Sequence, residues 1–154
     1  MRLPTLLAAA AILGFSPFLA GVSCGLTDLD VREATIAGEF SGAQVVPPVE
    51  TGASGRVTAR VYGDVVSIRG TFSGLEGVLL ADEEGAAVFR IGARGENGAA
   101  IAVLDAASAD GRSGSIRGDL RLETSIVDAL IDGGTYVELR TDAHPEGEVR
   151  AQIE

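Results

Sequence analysis

Arg56-Val57-Thr58-Ala59-Arg60-Val61 decides the fold class, because its period is two residues. Successive side chains of an extended strand point to opposite faces. Val57, Ala59 and Val61 therefore share one face, and Arg56, Thr58 and Arg60 share the other. The same alternation recurs downstream. Ser115 to Leu122 turns Ile116, Leu120 and Leu122 inward. Val137, Leu139 and Thr141 oppose Tyr136, Glu138 and Arg140, and Val149, Ala151 and Ile153 oppose Glu148, Arg150 and Gln152. One apolar and one charged face is the pattern of half-buried antiparallel strands. The charged faces are expected to lie in water, with opposite charges pairing across strands.

Turn chemistry fills the gaps. Tyr62-Gly63-Asp64-Val65 predicts a tight hairpin between Gly55–Tyr62 and Val65–Phe72. Arg94-Gly95-Glu96-Asn97-Gly98 and Asp110-Gly111-Arg112-Ser113-Gly114 predict loops, since Gly, Asn and Asp accept positive φ. Pro47-Pro48 belongs at a stiff corner outside any central strand. Only Ser125 to Ile131 reads as helical, and Gly133-Gly134 stops it. About eight short strands separated by turns predict an all-β domain, an antiparallel β-sandwich or Greek-key barrel.

Composition narrows the function. The 154 residues carry 12 basic side chains, all arginine, against 22 acidic ones, for a net charge of −10. An acidic field opposes phosphate backbones, so no nucleic acid is expected as a partner. The single cysteine excludes a disulfide framework or a thiolate zinc site. The single histidine leaves little room for histidine metal chemistry or a Ser-His-Asp relay.

Residues 1–23 are set apart from the fold. Arg2 precedes an apolar run from Leu3 to Leu13, which Gly14, Ser16 and Pro17 interrupt. That run is shorter than the roughly 20 residues of a membrane span and reads as a signal peptide. Cys24 follows Ala20-Gly21-Val22-Ser23, a sequence similar to the end of a bacterial lipoprotein signal although Gly21 replaces the usual Leu. Cys24 is the expected lipidation site, and ordinary cleavage leaving a free thiol is the alternative. Residues 24–33 then form a polar tether, and 34–154 form one β domain. Membrane attachment is expected only through the lipidated N-terminus, on the outer surface or in the periplasm; otherwise the protein is secreted.

Phe40-Ser41-Gly42-Ala43-Gln44-Val45-Val46-Pro47-Pro48-Val49 resembles the "SGAQEVPPV" opening of the CHRD domain, a module of chordin and of many secreted microbial proteins. Thr71-Phe72-Ser73-Gly74-Leu75 is similar to its "FSGL". Gly92 to Gly98 is similar to its "GxxGxNG" loop, and Gly133 to Ile153 to its "G-YVNVHT-HPGGEIRGQ" ending. The resemblance spans about Ile36 to Glu154. It implies an extracellular all-β module without a well-established catalytic activity.

The departures bear on chemistry. Family members usually carry "AHIH" before the Gly loop and a His in "NVHT"; here the corresponding positions are Val88, Arg90 and Arg140. A His-x-His pair plus a third His from a neighbouring strand could converge on a metal. Val cannot ligate and Arg stays protonated, so no metal or other cofactor is expected there. Arg90 and Arg140 are candidates for bidentate recognition of a carboxylate or phosphate on a partner. The plainer reading has both at the surface, pairing with Glu138 or Glu148.

Other motifs carry less. His144 reads as a solvated loop residue, and Asp82-Glu83-Glu84 as a solvated acidic loop and not a Ca²⁺ site. Ser108, Asp110 and Gly111 imitate part of an EF-hand, but Ala106 and Arg117 stand at its end positions. Arg117-Gly118-Asp119 lies within an alternating strand, where an adhesive tripeptide would not be displayed. Two functions remain. One is a non-catalytic extracellular or cell-envelope module, lipid-anchored, binding an unidentified protein or polymer or supporting the envelope. The other is a metal-dependent redox or other enzyme, by analogy with copper/zinc-dismutase-like barrels.

Overall fold

The structure is a computed structural model, and it describes residues 31–154. Residues 1–30, on which the expected signal peptide, Cys24 and most of the expected tether fall, lie outside the described residues. The chain is all-β with one short helix. Its elements are β1 (Glu33–Phe40), a 3₁₀ turn (Gly42–Gln44), β2 (Ser54–Tyr62), β3 (Val65–Ser73), β4 (Ala87–Ile91), β5 (Ala100–Ser108), β6 (Gly114–Arg121), α1 (Thr124–Ile131), β7 (Thr135–Leu139) and β8 (Val149–Ile153).

The strands pair antiparallel in the order β1-β2-β3-β6-β5-β4-β7-β8. β4, β5 and β6 are sequential neighbours; β3 lies beside β6, and β7 lies beside β4. Each arrangement is a Greek key, so two of them share the central three strands. β8 returns to β1 through reciprocal backbone bonds of 3.1 Å between Ser41 and Arg150. Gly38 permits that approach, because a Cβ there would collide with the Gln152 carbonyl. The sheet is thereby a nearly closed barrel, which leaves little free strand edge.

The alternation predicts the inner face correctly. Val57, Ala59, Val61, Ile116, Val137, Leu139, Val149, Ala151 and Ile153 are all buried in one core with Ile68 and Phe89. The Gly63-Asp64 hairpin forms as expected, with Gly63 at φ +61° and Tyr62 opposite Val65. Helix α1 begins one residue earlier than expected. It closes one end of the barrel with Val127 and Leu130, three residues apart on one side, and Gly133 at φ +76° ends it.

The outer faces divide. On β2, β3 and β6 the charged side chains are exposed as expected: Arg56, Arg60, Arg69, Arg117 and Asp119 all face water. On β7 and β8 the expectation of a solvated outer face is corrected. Every residue of both strands is buried, including Tyr136, Glu138, Arg150 and Gln152. Two-residue periodicity tells inside from outside, but not whether a loop covers the outside. Here the 41–53 and 92–99 segments do so.

Candidate functional site

Pairing of β4, β7 and β8 sets the outward side chains in rows. Val88, Glu138 and Arg150 are successive cross-strand partners, and so are Arg90, Tyr136 and Gln152. Arg150 is 1% exposed. Its guanidinium donates to the carbonyls of Ala93 and Glu96 at 2.8 Å and to Gln152 Oε1 at 2.6 Å. It also lies 3.5 Å over the Tyr136 ring, a cation–π contact. Burial pushes the Arg150 pKa down, yet an arginine keeps its charge.

Gln152 extends the same network. Its Nε2 donates to the carbonyls of Gly92, Gly133 and Thr135. Gln44 Oε1 accepts from the Gln152 backbone N–H at 3.0 Å, and Gln44 Nε2 donates to the Glu39 carbonyl. Asn97 Nδ2 donates to the Val46 carbonyl, which joins one covering loop to the other. Tyr136 Oη accepts from the Gly98 N–H at 2.9 Å. Segments far apart in sequence, Gln44–Val46, Gly92–Gly98 and Arg150–Gln152, thus meet in one polar lock.

Beside the lock, Glu138 is 4% exposed, with Arg90 Nε 3.1 Å from its Oε2. Arg90 Nε makes no aligned hydrogen bond, so this contact is chiefly electrostatic. Arg90 also donates to the Gly98 carbonyl at 3.3 Å. Burial raises the Glu138 pKa, and attraction from Arg90, Arg150 and Arg140 only partly offsets it. A carboxyl whose pKa is higher folded than unfolded stabilises most below the ordinary value of 4.5, and that contribution is lost as pH rises through the folded-state value. The stability of wild type relative to Glu138→Gln should therefore be greatest near ~pH 4 and smaller near ~pH 7, measured by urea denaturation at both. A difference that grows with pH would contradict this reading of Glu138.

Arg140 directly follows β7 and is 7% exposed. Its NH1 and NH2 each bond one oxygen of Asp82 at 3.0 Å, its Nε bonds the Pro145 carbonyl, and NH1 also bonds the Gly85 carbonyl. Glu84 adds a carboxylate at 3.3 Å. The Arg140 hydrogen bond holds the Asp82 carboxyl below its usual range. The acidic loop is solvated as expected, with Asp82, Glu83 and Glu84 exposed, and it also clamps Arg140. Expected pairing holds for Arg90 with Glu138. Arg140 instead pairs with Asp82 and Glu84, and it is buried.

Glu148 is fully buried, and no arginine among the described residues pairs with it. Its Oε1 accepts from Thr51 Oγ1 at 2.9 Å and the Glu76 N–H at 2.7 Å. Its Oε2 accepts from Thr141 Oγ1 at 2.8 Å and from the Gly77 N–H at 3.4 Å. His144 Nε2 sits 3.2 Å from Glu76 Oε2 on the same side. Asp110 Oδ1 accepts from Ser108, Arg112 and Ser113, which closes the β5–β6 turn on itself.

Of the three positions singled out in the sequence, Val88 and Arg90 share the outer face of β4, and Arg140 follows the end of the neighbouring β7, two residues beyond Glu138. Arg90 and Arg140 share no partner: one turns toward Gly98, the other toward Asp82. Sequence reasoning missed Glu138, Tyr136, Arg150, Gln152 and Glu148 as buried polar groups. Their common signal was membership of the C-terminal motif, whose polar residues are invested in the 41–53, 74–80 and 92–99 segments. Among the described residues, no group of three or more His, Cys, Asp or Glu is placed to hold a metal ion.

These features define a class: a small Greek-key barrel whose outer polar face is sealed by its own loops. The family model for the CHRD domain matches residues 36–153, and the chain belongs to the CHRD domain family. The domain is generally non-enzymatic and is a module of extracellular proteins. No curated protein and no solved structure matches this chain. No helix among the described residues is long and apolar enough to cross a membrane.

Proposed function

We propose that the protein is a non-catalytic extracellular or cell-envelope module, held at the membrane by a lipid on Cys24, that acts through binding or structural support. One observation carries the non-catalytic reading. Where a histidine triad would sit, the residues are Val88, Arg90 and Arg140, and both guanidinium groups are engaged with the protein's own carboxylates and carbonyls. Such a donor set does not fit copper or zinc. The same engagement favours a structural role for Arg90 and Arg140 over recognition of an outside anion.

The test combines metal analysis of the purified protein with fractionation of cells expressing wild type or Cys24→Ala. Less than about a tenth of an equivalent of copper or zinc is expected after dialysis, since a competent site would hold close to one. Stoichiometric metal that a chelator removes would contradict the non-catalytic reading. Wild type should sediment with membranes and Cys24→Ala should not; retention of Cys24→Ala would rule out the lipid as the anchor.

A further inference from the structure

The uncovered outer face of β2, β3 and β6 concentrates arginines in a chain of net charge −10. Arg56, Arg60, Arg69, Arg117 and Arg121 all project from it, exposed. Arg69, Arg117 and Arg121 are matched by Asp119, Asp105 and Asp64. Arg56 and Arg60 make no ion pair with any described carboxylate. Glu39 faces Arg56 in register across β1 but does not pair with it, and Thr35 faces Arg60.

Between the two free arginines runs an open groove of about 550 Å³, lined by Arg56, Thr58, Arg60, Ser67, Arg69 and Thr71. We infer that this groove binds an acidic polysaccharide, a linear chain bearing carboxylate, sulfate or phosphate groups. This inference rests on the binding-module reading above and supplies its partner class.

Geometry favours a polymer over a small anion. Arg56 and Arg60 are four residues apart on one strand, roughly 13 Å along β2. One small anion reaches one guanidinium, whereas a chain with charges on successive units reaches both. Each guanidinium fork matches an oxyanion bidentately, and the hydroxyls of Thr58 between them and of Thr71 and Ser67 across from them suit sugar hydroxyls. Single-stranded nucleic acid would need aromatic platforms for its bases, and the sole aromatic on this face of β2 and β3 is Tyr62 at its far end. A lipid surface would need apolar side chains to insert, and the groove has none.

The test measures binding of the full chain to dextran sulfate and to polygalacturonate, with uncharged dextran as control. Wild type should bind both polyanions, more weakly as salt rises. Arg56→Gln/Arg60→Gln should bind about tenfold or more weakly with a flatter salt dependence, while the charge-matched Arg32→Gln/Arg112→Gln stays within about twofold. Several outcomes would overturn the inference: no binding by folded wild type, equal binding by the groove variant, equal binding of uncharged dextran, or tighter binding of duplex DNA or phosphatidylglycerol vesicles. Circular dichroism of each variant separates lost binding from lost fold. Failure here would leave the metal and fractionation results standing.

Discussion

Arg150→Met is expected to lower the unfolding free energy by about 3–5 kcal/mol, the cost typical of removing one partner from a buried charged network. The side chain is fully enclosed, so methionine fills much of its volume but satisfies none of its acceptors. The carbonyls of Ala93 and Glu96 and Gln152 Oε1 each lose a charge-assisted donor. Glu138, already penalised by burial, loses one of its nearby cations as well. Small domains are stable by about 5–15 kcal/mol in total, so this change should bring the protein close to its unfolding midpoint at moderate urea. Urea denaturation followed by far-UV circular dichroism measures it. A loss below about 1 kcal/mol would show that Arg150 is a surface residue in effect.

Glu148→Ala should be nearly as damaging, at about 3–4 kcal/mol. One carboxylate holds three segments: Thr51 in the first covering loop, Glu76 and Gly77 after β3, and Thr141 after β7. Truncation removes the acceptor of two backbone donors and two hydroxyls; the Gly77 N–H and the Thr141 hydroxyl are buried, and each buried unsatisfied donor costs about 1–3 kcal/mol. Leu75, adjacent to Glu76 and buried in the core, would loosen with them. Glu148→Gln keeps the shape but turns an NH₂ toward a donor, so it should fall between wild type and Ala. The ranking wild type, Gln, Ala in urea midpoint checks the assignment, and equal midpoints for Ala and wild type would contradict it.

The sequence was most legible where one face met the core and the other met water. Val57-Thr58-Ala59-Arg60 states its own geometry, because burial and exposure alternate with the pleat. The Gly63 hairpin and the Gly133 stop were equally readable, since positive φ leaves few residue choices. Motif resemblance supplied the family, and the match over residues 36–153 agrees with it.

What alternation could not reveal was the cover. Glu138-Leu139-Arg140 and Glu148-Val149-Arg150 look like any solvated strand. Their burial depends on Val46 meeting Asn97 and on Ala93 and Glu96 meeting Arg150, contacts between residues some fifty positions apart. Local pattern carries no term for such pairing. The same reasoning explains the two arginine positions: the strand face was correct, but their partners Asp82 and Gly98 lie on loops whose placement only tertiary structure fixes.

The central claim is that the family's motif side chains form a structural lock over β4, β7 and β8. Native-state hydrogen exchange at the Gly98, Val45 and Val49 amides tests it most directly. Gly98 N–H is bonded to Tyr136 Oη, and the other two to the Gly42 carbonyl. In wild type these loop amides should exchange slowly, and in Arg150→Met they should exchange at least about tenfold faster in both loops together, ahead of the β2 and β3 amides. Fast exchange of these amides in wild type, or protection unchanged in Arg150→Met, would contradict the lock.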